Sequence, residues 1–99
     1  MDKVLQMIGL AKKAGKVVTG EFLCEKAIKE GESALVIIAS DISQNGKKSI
    51  TDSCKHYKVQ YIEYSDKEQL GRITGGGERA VVSVSDNGFA EAILKKYSA

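Results

Sequence analysis

The most unusual stretch of this sequence for possible chemistry is the glycine-rich run at residues 71–79. Glycine permits positive φ and lets a ligand approach the main chain, so N–H groups here could cradle a phosphate. The run lacks the Gly-Lys-Ser/Thr of a Walker loop, and it precedes a predicted strand, whereas a Rossmann fingerprint follows one. A flexible connector between a helix and a strand is the alternative interpretation.

A second candidate site is the start of the predicted second helix at Gly20. A helix N-terminus presents unpaired N–H groups to an anion. Phe22, Lys26 and Lys29 share an outward face at i, i+4, i+7, as base stacking with phosphate neutralisation requires. Glu21 opposes this because its charge repels phosphate, and a solvated basic face with one aromatic residue is the alternative interpretation. Three more lysines lie just upstream in the sequence: Lys12, Lys13 and Lys16.

Residues suited to catalysis or metal binding are scarce. The one histidine, His56, falls at the end of a predicted helix, where it complements the helix dipole. Cys24 and Cys54 lack the spacing of a metal site, and no G-x-S-x-G motif marks a nucleophile. We therefore expect a protein that is not an enzyme and that binds neither a metal nor a cofactor.

Length and composition indicate a single soluble domain over residues 1–99. The chain is 42% hydrophobic and 28% charged, and its formal net charge of +2 neither requires nor excludes a nucleic-acid partner. No apolar run reaches the ~18 residues of a membrane span, and the N-terminus lacks the pattern of a signal peptide. Cys24 and Cys54 fall at core-facing helix positions, so we expect free buried thiols and a cytoplasmic protein.

Hydrophobic spacing predicts the helices that must position these residues. The first helix has Val4, Ile8 and Ala11 at i, i+4, i+7 and ends near Gly15. The second spans about 20–30, the third follows the turn at 40–43, a short helix covers 66–73, and the last begins near residue 87. The predicted buried face of the second helix consists of Leu23, Cys24, Ala27 and Ile28. That of the third helix consists of Ile50, Cys54 and Tyr57, and that of the last helix consists of Phe89, Ile93 and Tyr97.

Apolar runs between these helices predict four strands. The run at 34–39 is apolar without interruption, which is typical of a central strand covered by helices on both faces. Residues 80–84 form a second buried strand, 59–64 a more polar strand nearer an edge, and 17–19 a short extended piece. Helices and strands therefore alternate, which predicts an α/β fold organised as a three-layer α/β/α sandwich.

Short motifs follow one another in a characteristic order: Ile8-Gly9-Leu10-Ala11, Ala14-Gly15-Lys16, Gly20, Lys26-Ala27-Ile28, Gly31, Ser40-Asp41 after the central strand, and Leu70-Gly71-Arg72 with Gly75. In this order and spacing the whole chain resembles the ribosomal L7Ae/L30e family of kink-turn RNA-binding proteins, most of all its bacterial YlxQ-like branch. The resemblance implies a four-stranded mixed sheet and an RNA site where three loops meet. These loops are the start of the second helix, the turn after the central strand and the loop after Leu70.

The resemblance, together with the lysines upstream of the second helix, indicates roles for individual residues at that site. Phosphate contacts are expected from Lys12, Lys13, Lys16, Lys26 and Arg72. Close approach of RNA to the main chain is expected at Gly20 and Gly71, and contact with an unstacked base is expected from Leu70 and Ile73. The remaining members of the implied site are Asp41 in the middle loop and Gly75 in the last loop.

Phe22-Leu23 departs from the family pattern, since strong kink-turn binders have Asn-Glu at these two positions. The amide and carboxylate there bond to guanine edges, which Phe and Leu cannot do. The resulting hypothesis is non-catalytic binding of structured RNA with weakened or altered kink-turn specificity. Phe22 is available either to stack on a base or to pack on its own helix. The expected partners are structured RNA, including ribosomal RNA, and ribosomal or RNA-processing proteins.

Two other functions stay open. A protein-interaction module that has lost its RNA site would expose an apolar patch of Phe22, Leu70 and Ile73. A small-ligand or nucleotide sensor would need a concave pocket with convergent donors beside the glycines at 75–77.

Overall fold

The computed structural model describes residues 2–99, in which five helices and four strands alternate as the sequence predicts. The helices are α1 (Lys3–Lys13), α2 (Glu21–Lys29), α3 (Gln44–His56), α4 (Lys67–Ile73) and α5 (Asn87–Ser98). The strands are β1 (Val17–Thr19), β2 (Leu35–Ile38), β3 (Tyr61–Glu63) and β4 (Val81–Val84). None of the helices described in this range is long and apolar enough to cross a membrane.

The four strands form one mixed sheet in the order β1-β4-β2-β3. Strand β4 runs antiparallel to both β1 and β2, and β3 runs parallel to β2. The two fully buried strands, β2 and β4, are central, and the more polar β3 lies at an edge. The predicted α/β fold with a four-stranded mixed sheet is therefore confirmed.

Two hydrophobic clusters cover opposite faces of this sheet. On one face α1, α4 and α5 pack against Leu35 and Ile37 of β2, and on the other α2 and α3 pack against Val36 and Ile38 of the same strand. Because alternate residues of a strand point to opposite faces, a strand that serves both clusters must be apolar throughout. The molecule therefore has the three predicted layers of helices, sheet and helices.

Polar side chains fix the starts of four helices. The carboxylates of Asp2, Asp66 and Asp86 and the hydroxyl of Ser43 each accept a hydrogen bond from a main-chain N–H in the first turn. Such a cap typically contributes about 1 kcal/mol to stability. Among the described helices α2 is the exception, because its N-cap is Gly20 and no side chain caps its first turn.

Three side chains that were assigned to buried helix faces are exposed instead. Leu23 is 48% exposed because it lies beside the buried stripe of α2 and not on it. Tyr57 is 44% exposed because α3 has already ended and Tyr57 forms its C-cap. Tyr97 is exposed near the end of α5, where its ring packs edge-on against Tyr64 with 5.9 Å between the ring centroids.

Cys24 and Cys54 are free, buried thiols in the cluster beneath α2 and α3, as predicted. Burial disfavours the thiolate, and it raises the pKa of Cys24 to about 12 and that of Cys54 to about 11. Both groups are therefore neutral near physiological pH, and a neutral thiol is a poor nucleophile.

We predict that neither thiol of the folded protein reacts readily with dithiobis-nitrobenzoate near neutral pH, because the raised pKa values of Cys24 and Cys54 keep both groups protonated. Absorbance measured over time checks this. The same protein in denaturant is the control, and there both thiols should react promptly. Equally prompt reaction of either thiol in the native protein would contradict the described burial.

Candidate nucleic-acid interface

The three segments that the resemblance named meet at one end of the sheet because of the strand directions. Thr19, the last residue of β1, pairs with Val82 of β4. Ile38, the last residue of β2, pairs with Val81 of β4 and also with Glu63, the last residue of β3. Strands β1, β2 and β3 therefore run toward the end from which β4 starts. We call this the loop end, and it consists of residues 19–22, 39–43 and 74–80.

Gly20 sets the main chain for the start of α2 at the loop end. Its φ of +93° lies in a region that L side chains rarely adopt, and its N–H donates to the Val81 carbonyl at 2.9 Å. Since no side chain caps α2, the first N–H groups of the helix, including that of Phe22, keep their capacity to bond to a ligand. The loop end therefore contains an open helix N-terminus.

The Glu21 carboxylate is placed against the first turn of α3. A Cβ added at Gly46 would lie 2.7 Å from Glu21 Oε1, so the carboxylate sits where α3 begins. A negative charge is favourable there because it faces the positive end of the α3 dipole. The Glu21 charge, which was expected to repel phosphate from the start of α2, is therefore stabilised by the positive end of the α3 dipole.

Phe22 and Lys26 lie together on the outward face of α2. Phe22 is 79% exposed, and it borders a shallow groove with Lys26 and Lys29. Glu25 and Glu30 line the same groove, and Glu25 Oε1 accepts hydrogen bonds from two serine hydroxyls of α3. A flat ring between cations can stack on a base while the lysines neutralise phosphate.

Asp41 ties the middle loop to the start of α4. Its Oδ1 accepts the N–H of Lys67 at 2.9 Å. The neighbouring Ser40 hydroxyl donates to the Ser65 carbonyl at 2.7 Å. Asp41 therefore holds the loop end in shape, whereas the sequence placed it there without a defined role.

Arg79 joins the last loop to the end of β1 and to the start of α4, and sequence reasoning missed it. Its Nε donates to Thr19 Oγ1 at 3.0 Å, and its main-chain N–H donates to the Lys67 carbonyl at 3.0 Å. Its guanidinium also covers Gly76, where an added Cβ would lie 2.7 Å from Nη2. The available signal was an arginine closing a glycine-rich run, which does not distinguish a structural latch from an RNA contact.

Leu70 and Gly71 support the last loop from inside. Leu70 is completely buried, which is at odds with the direct base contact expected of it. A Cβ added at Gly71 would overlap the Gly77 carbonyl oxygen. The close approach expected at Gly71 is therefore made by the protein's own main chain.

The glycines that follow α4 form a hydrogen-bonded turn. The N–H of Gly75 donates to the Arg72 carbonyl at 3.3 Å, and that of Gly76 donates to the Gly71 carbonyl at 3.0 Å. Gly75 supports the turn with a φ of +83°. These two N–H groups are occupied within the protein, so they do not form the phosphate cradle that the sequence left open.

The remaining predicted site residues fall in two places. A groove between α1 and α4 is lined by Lys12, Lys13, Arg72, Ile73 and Gly75, among others. Lys16 lies at the opposite end of β1 from Gly20, because its carbonyl accepts the N–H of Ser85, which directly follows β4. Two of the three upstream lysines therefore line this groove, whereas Lys16 is not among its lining residues.

The features that the two alternative functions require are incomplete. The apolar patch of Phe22, Leu70 and Ile73 does not form, because Leu70 is buried and Ile73 packs partly against the core. A concave groove does adjoin Gly75, but the N–H groups of Gly75 and Gly76 are already bonded.

His56 lies at the end of α3, as predicted, with its ring edge-on to Tyr57 and 4.7 Å between the ring centroids. Within residues 2–99 no three His, Cys, Asp or Glu side chains are grouped so that they could hold a metal ion.

The fold defines a small α/β protein of the ribosomal-protein type, in which the three named segments gather at one end of a mixed sheet. The model of the ribosomal protein L7Ae/L30e/S12e/Gadd45 family matches residues 2–94, and the chain belongs to this family. The resemblance seen in the sequence motifs is therefore confirmed.

Individual proteins agree with this assignment. The RNA-binding protein YlxQ of Bacillus subtilis (strain 168) is 42% identical over 88 residues, which cover 89% of this chain and 88% of that protein. The solved structure of a protein with unknown function from Bacillus halodurans C has a TM-score of 0.95 at 33% identity and covers 100% of both chains. The Giardia lamblia 15.5kD RNA binding protein has a TM-score of 0.80 over 97% of this chain and 86% of that one. Its identity is 22%, so that similarity shows the fold alone.

Replacing Gly71 by Ala should destabilise the protein, because the new Cβ would overlap the Gly77 carbonyl and force the loop to move. Overpacking typically costs about 1–3 kcal/mol, against a gain of about 1 kcal/mol from the helix propensity of Ala. Urea unfolding measures the difference.

Gly77→Ala is the matched control in the same loop, since no atom lies within 4 Å of a Cβ built there. We expect the unfolding midpoint to fall for Gly71→Ala and to stay near the parent value for Gly77→Ala. A midpoint for Gly71→Ala at or above the parent value would contradict the described packing.

Proposed function

We propose that this chain binds structured RNA through its loop end and the adjoining outward face of α2, without catalysing a reaction. The observation that carries the proposal is Phe22, whose largely exposed ring lies beside Lys26 at the first turn of an uncapped helix. An apolar ring, a cation and open N–H groups together match a base and its phosphate. Membership of the L7Ae/L30e/S12e/Gadd45 family and the RNA-binding name of the Bacillus subtilis relative support the proposal.

The hydrogen bonds within the loop end also support RNA binding. Arg79 links the last loop to Thr19, and Asp41 links the middle loop to Lys67. Loops that are held in place before binding lose less conformational freedom on forming a complex. The binding surface is therefore prepared by contacts that leave Phe22 free.

The RNA we propose is a kink-turn or a related bent or looped element, because the family resemblance implies this target. Phe22 and Leu23 occupy the two positions where strong kink-turn binders have Asn-Glu, and both are exposed. They therefore offer stacking and apolar contact where hydrogen bonds to guanine edges are made by Asn and Glu. We infer that binding of bent RNA is kept and that kink-turn specificity is altered.

The cellular setting we propose is a complex of ribosomal RNA with ribosomal or RNA-processing proteins in the cytoplasm. The net charge of the whole chain is only +2, so binding must depend on local cations and not on a strong overall field. Lys26 and Lys29 on α2, with Lys12, Lys13 and Arg72 in the groove between α1 and α4, are the local cations.

Titration against two fluorescent RNAs tests the proposal. One is a kink-turn duplex, and the other is the same duplex with its G·A pairs replaced, each at low and near-physiological salt. Tighter binding to the kink-turn that weakens steeply with salt supports the proposal. Equal weak binding to both RNAs would indicate only a nonspecific basic surface. No binding at either salt concentration would overturn the proposal and would favour a protein partner.

Lys26→Ala should weaken RNA binding and lower the slope of log K against log salt by about 0.9, because one phosphate contact is lost. Fluorescence titration over a series of salt concentrations measures the slope. Lys96→Ala is the matched control, since Lys96 is also exposed on a helix but lies on α5. An unchanged slope for Lys26→Ala would remove Lys26 from the interface.

Phe22→Ala should leave the free energy of unfolding within about 0.5 kcal/mol of the parent value, because the side chain is exposed. The same change should weaken RNA binding by about 1–3 kcal/mol if Phe22 stacks on a base. Tyr57→Ala is the control for loss of an exposed ring elsewhere. Lost stability with unchanged affinity would show that Phe22 packs on its own helix.

A further inference from the structure

The groove between α1 and α4 adjoins the loop end at Gly75. We call it the α1–α4 groove, and its principal lining residues are Gly9, Leu10, Lys12, Lys13, Arg72 and Ile73. Its volume is about 600 Å³, which is within the range of pockets that hold small ligands. The groove is therefore large enough for one nucleotide.

The floor of the α1–α4 groove is apolar. Gly9 has no side chain, and a Cβ added there would lie 3.7 Å from the Ile73 carbonyl oxygen, so the two helices approach closely at this point. Leu10 beside it is 45% exposed, although it belongs to an otherwise well-packed helix. An exposed leucine next to a glycine provides open apolar surface on which an aromatic base can lie.

The rim of the groove is positively charged on both sides. Lys12 and Lys13 come from the last turn of α1, and Arg72 comes from the last turn of α4. No carboxylate of the described residues lines the groove. Arg72 also pairs with Glu68 at 2.8 Å, but both side chains are about 70% exposed, and such a pair contributes little to stability and can be exchanged for a phosphate.

We propose that the α1–α4 groove binds one unpaired nucleotide of the RNA that the loop end holds, with its base on Leu10 and its phosphates at the lysines and Arg72. This rests on the proposed function. Gly75 belongs to both surfaces, so a single strand that leaves the loop end meets the groove directly. A nucleotide combines a flat ring with a charged phosphate, as the groove combines an apolar floor with a cationic rim. An acidic peptide would complement the charge of the rim but would have no flat ring for the apolar floor.

The test compares a blunt kink-turn duplex with the same duplex carrying a short single-stranded extension. Native full-length protein should bind the extended RNA about fivefold or more tightly than the blunt RNA, as one stacked base typically adds. Lys12→Ala/Lys13→Ala and, separately, Leu10→Ala should abolish this gain. Leu10→Ala should keep at least half of the parent affinity for the blunt duplex, whereas Lys12→Ala/Lys13→Ala should lower the affinity for both duplexes until the two are equal.

The control is Lys95→Ala/Lys96→Ala, which removes two adjacent lysines from the last turn of α5 and should keep the gain. Circular dichroism of every variant checks that the fold is retained. A gain that persists in both groove variants, or that is absent from the native protein, would overturn the proposal. An acidic peptide that binds the groove more tightly than a short RNA strand of equal charge would overturn it also.

A separate arm distinguishes failure of the groove from failure of the proposed function. A short single strand containing 4-thiouridine is cross-linked to the native protein, and the modified peptide is identified by mass spectrometry. If the protein binds neither duplex, the proposed function fails, and cross-links at residues 9–13 or 72–75 would still support the groove. Absence of cross-links in these two segments would overturn the proposal for the α1–α4 groove, whether or not the duplexes bind.

Discussion

Strand β4 lies between two strands that both run opposite to it, and the loop end depends on this arrangement. Pairing with β1 brings the Gly20 N–H to the Val81 carbonyl, and pairing with β2 brings the Ala39 N–H to the Ala80 carbonyl. Reversal of any one strand would carry its loop to the far end of the sheet. The pairing in turn requires two central strands that can be buried on both faces, because helices cover both.

The residues of the loop end divide into those that hold it and those that it presents. The main chain of Lys67 helps to fix the loop end. Its N–H donates to the Asp41 carboxylate, and its carbonyl accepts a hydrogen bond from the Arg79 N–H. Arg79 then reaches Thr19 through its side chain. None of these bonds uses the side chain of Phe22, which stays exposed.

Hydrophobic patterning was sufficient for the order of the nine elements and the two central strands, because long apolar runs have few structural alternatives. It was wrong for Leu23, since hydrophobicity does not show whether a residue lies on a buried stripe or beside it. The site was harder to predict because its roles depend on tertiary contacts. Gly71 is required because a side chain there would overlap the Gly77 carbonyl oxygen. The Arg79 side chain bonds to Thr19, which is 60 positions away in the sequence. Neither contact leaves a periodic pattern in the sequence.

The most direct test of RNA binding at the loop end is to map amide chemical-shift changes in isotope-labelled protein as kink-turn RNA is added. We predict the largest changes at residues 20–22, 40–41 and 74–79, with smaller changes along the outward face of α2. Amides near Ala34 and Ser85, at the opposite end of the sheet, should change little. Largest changes at that opposite end, or changes spread evenly over the surface, would contradict an RNA site formed by the three loops.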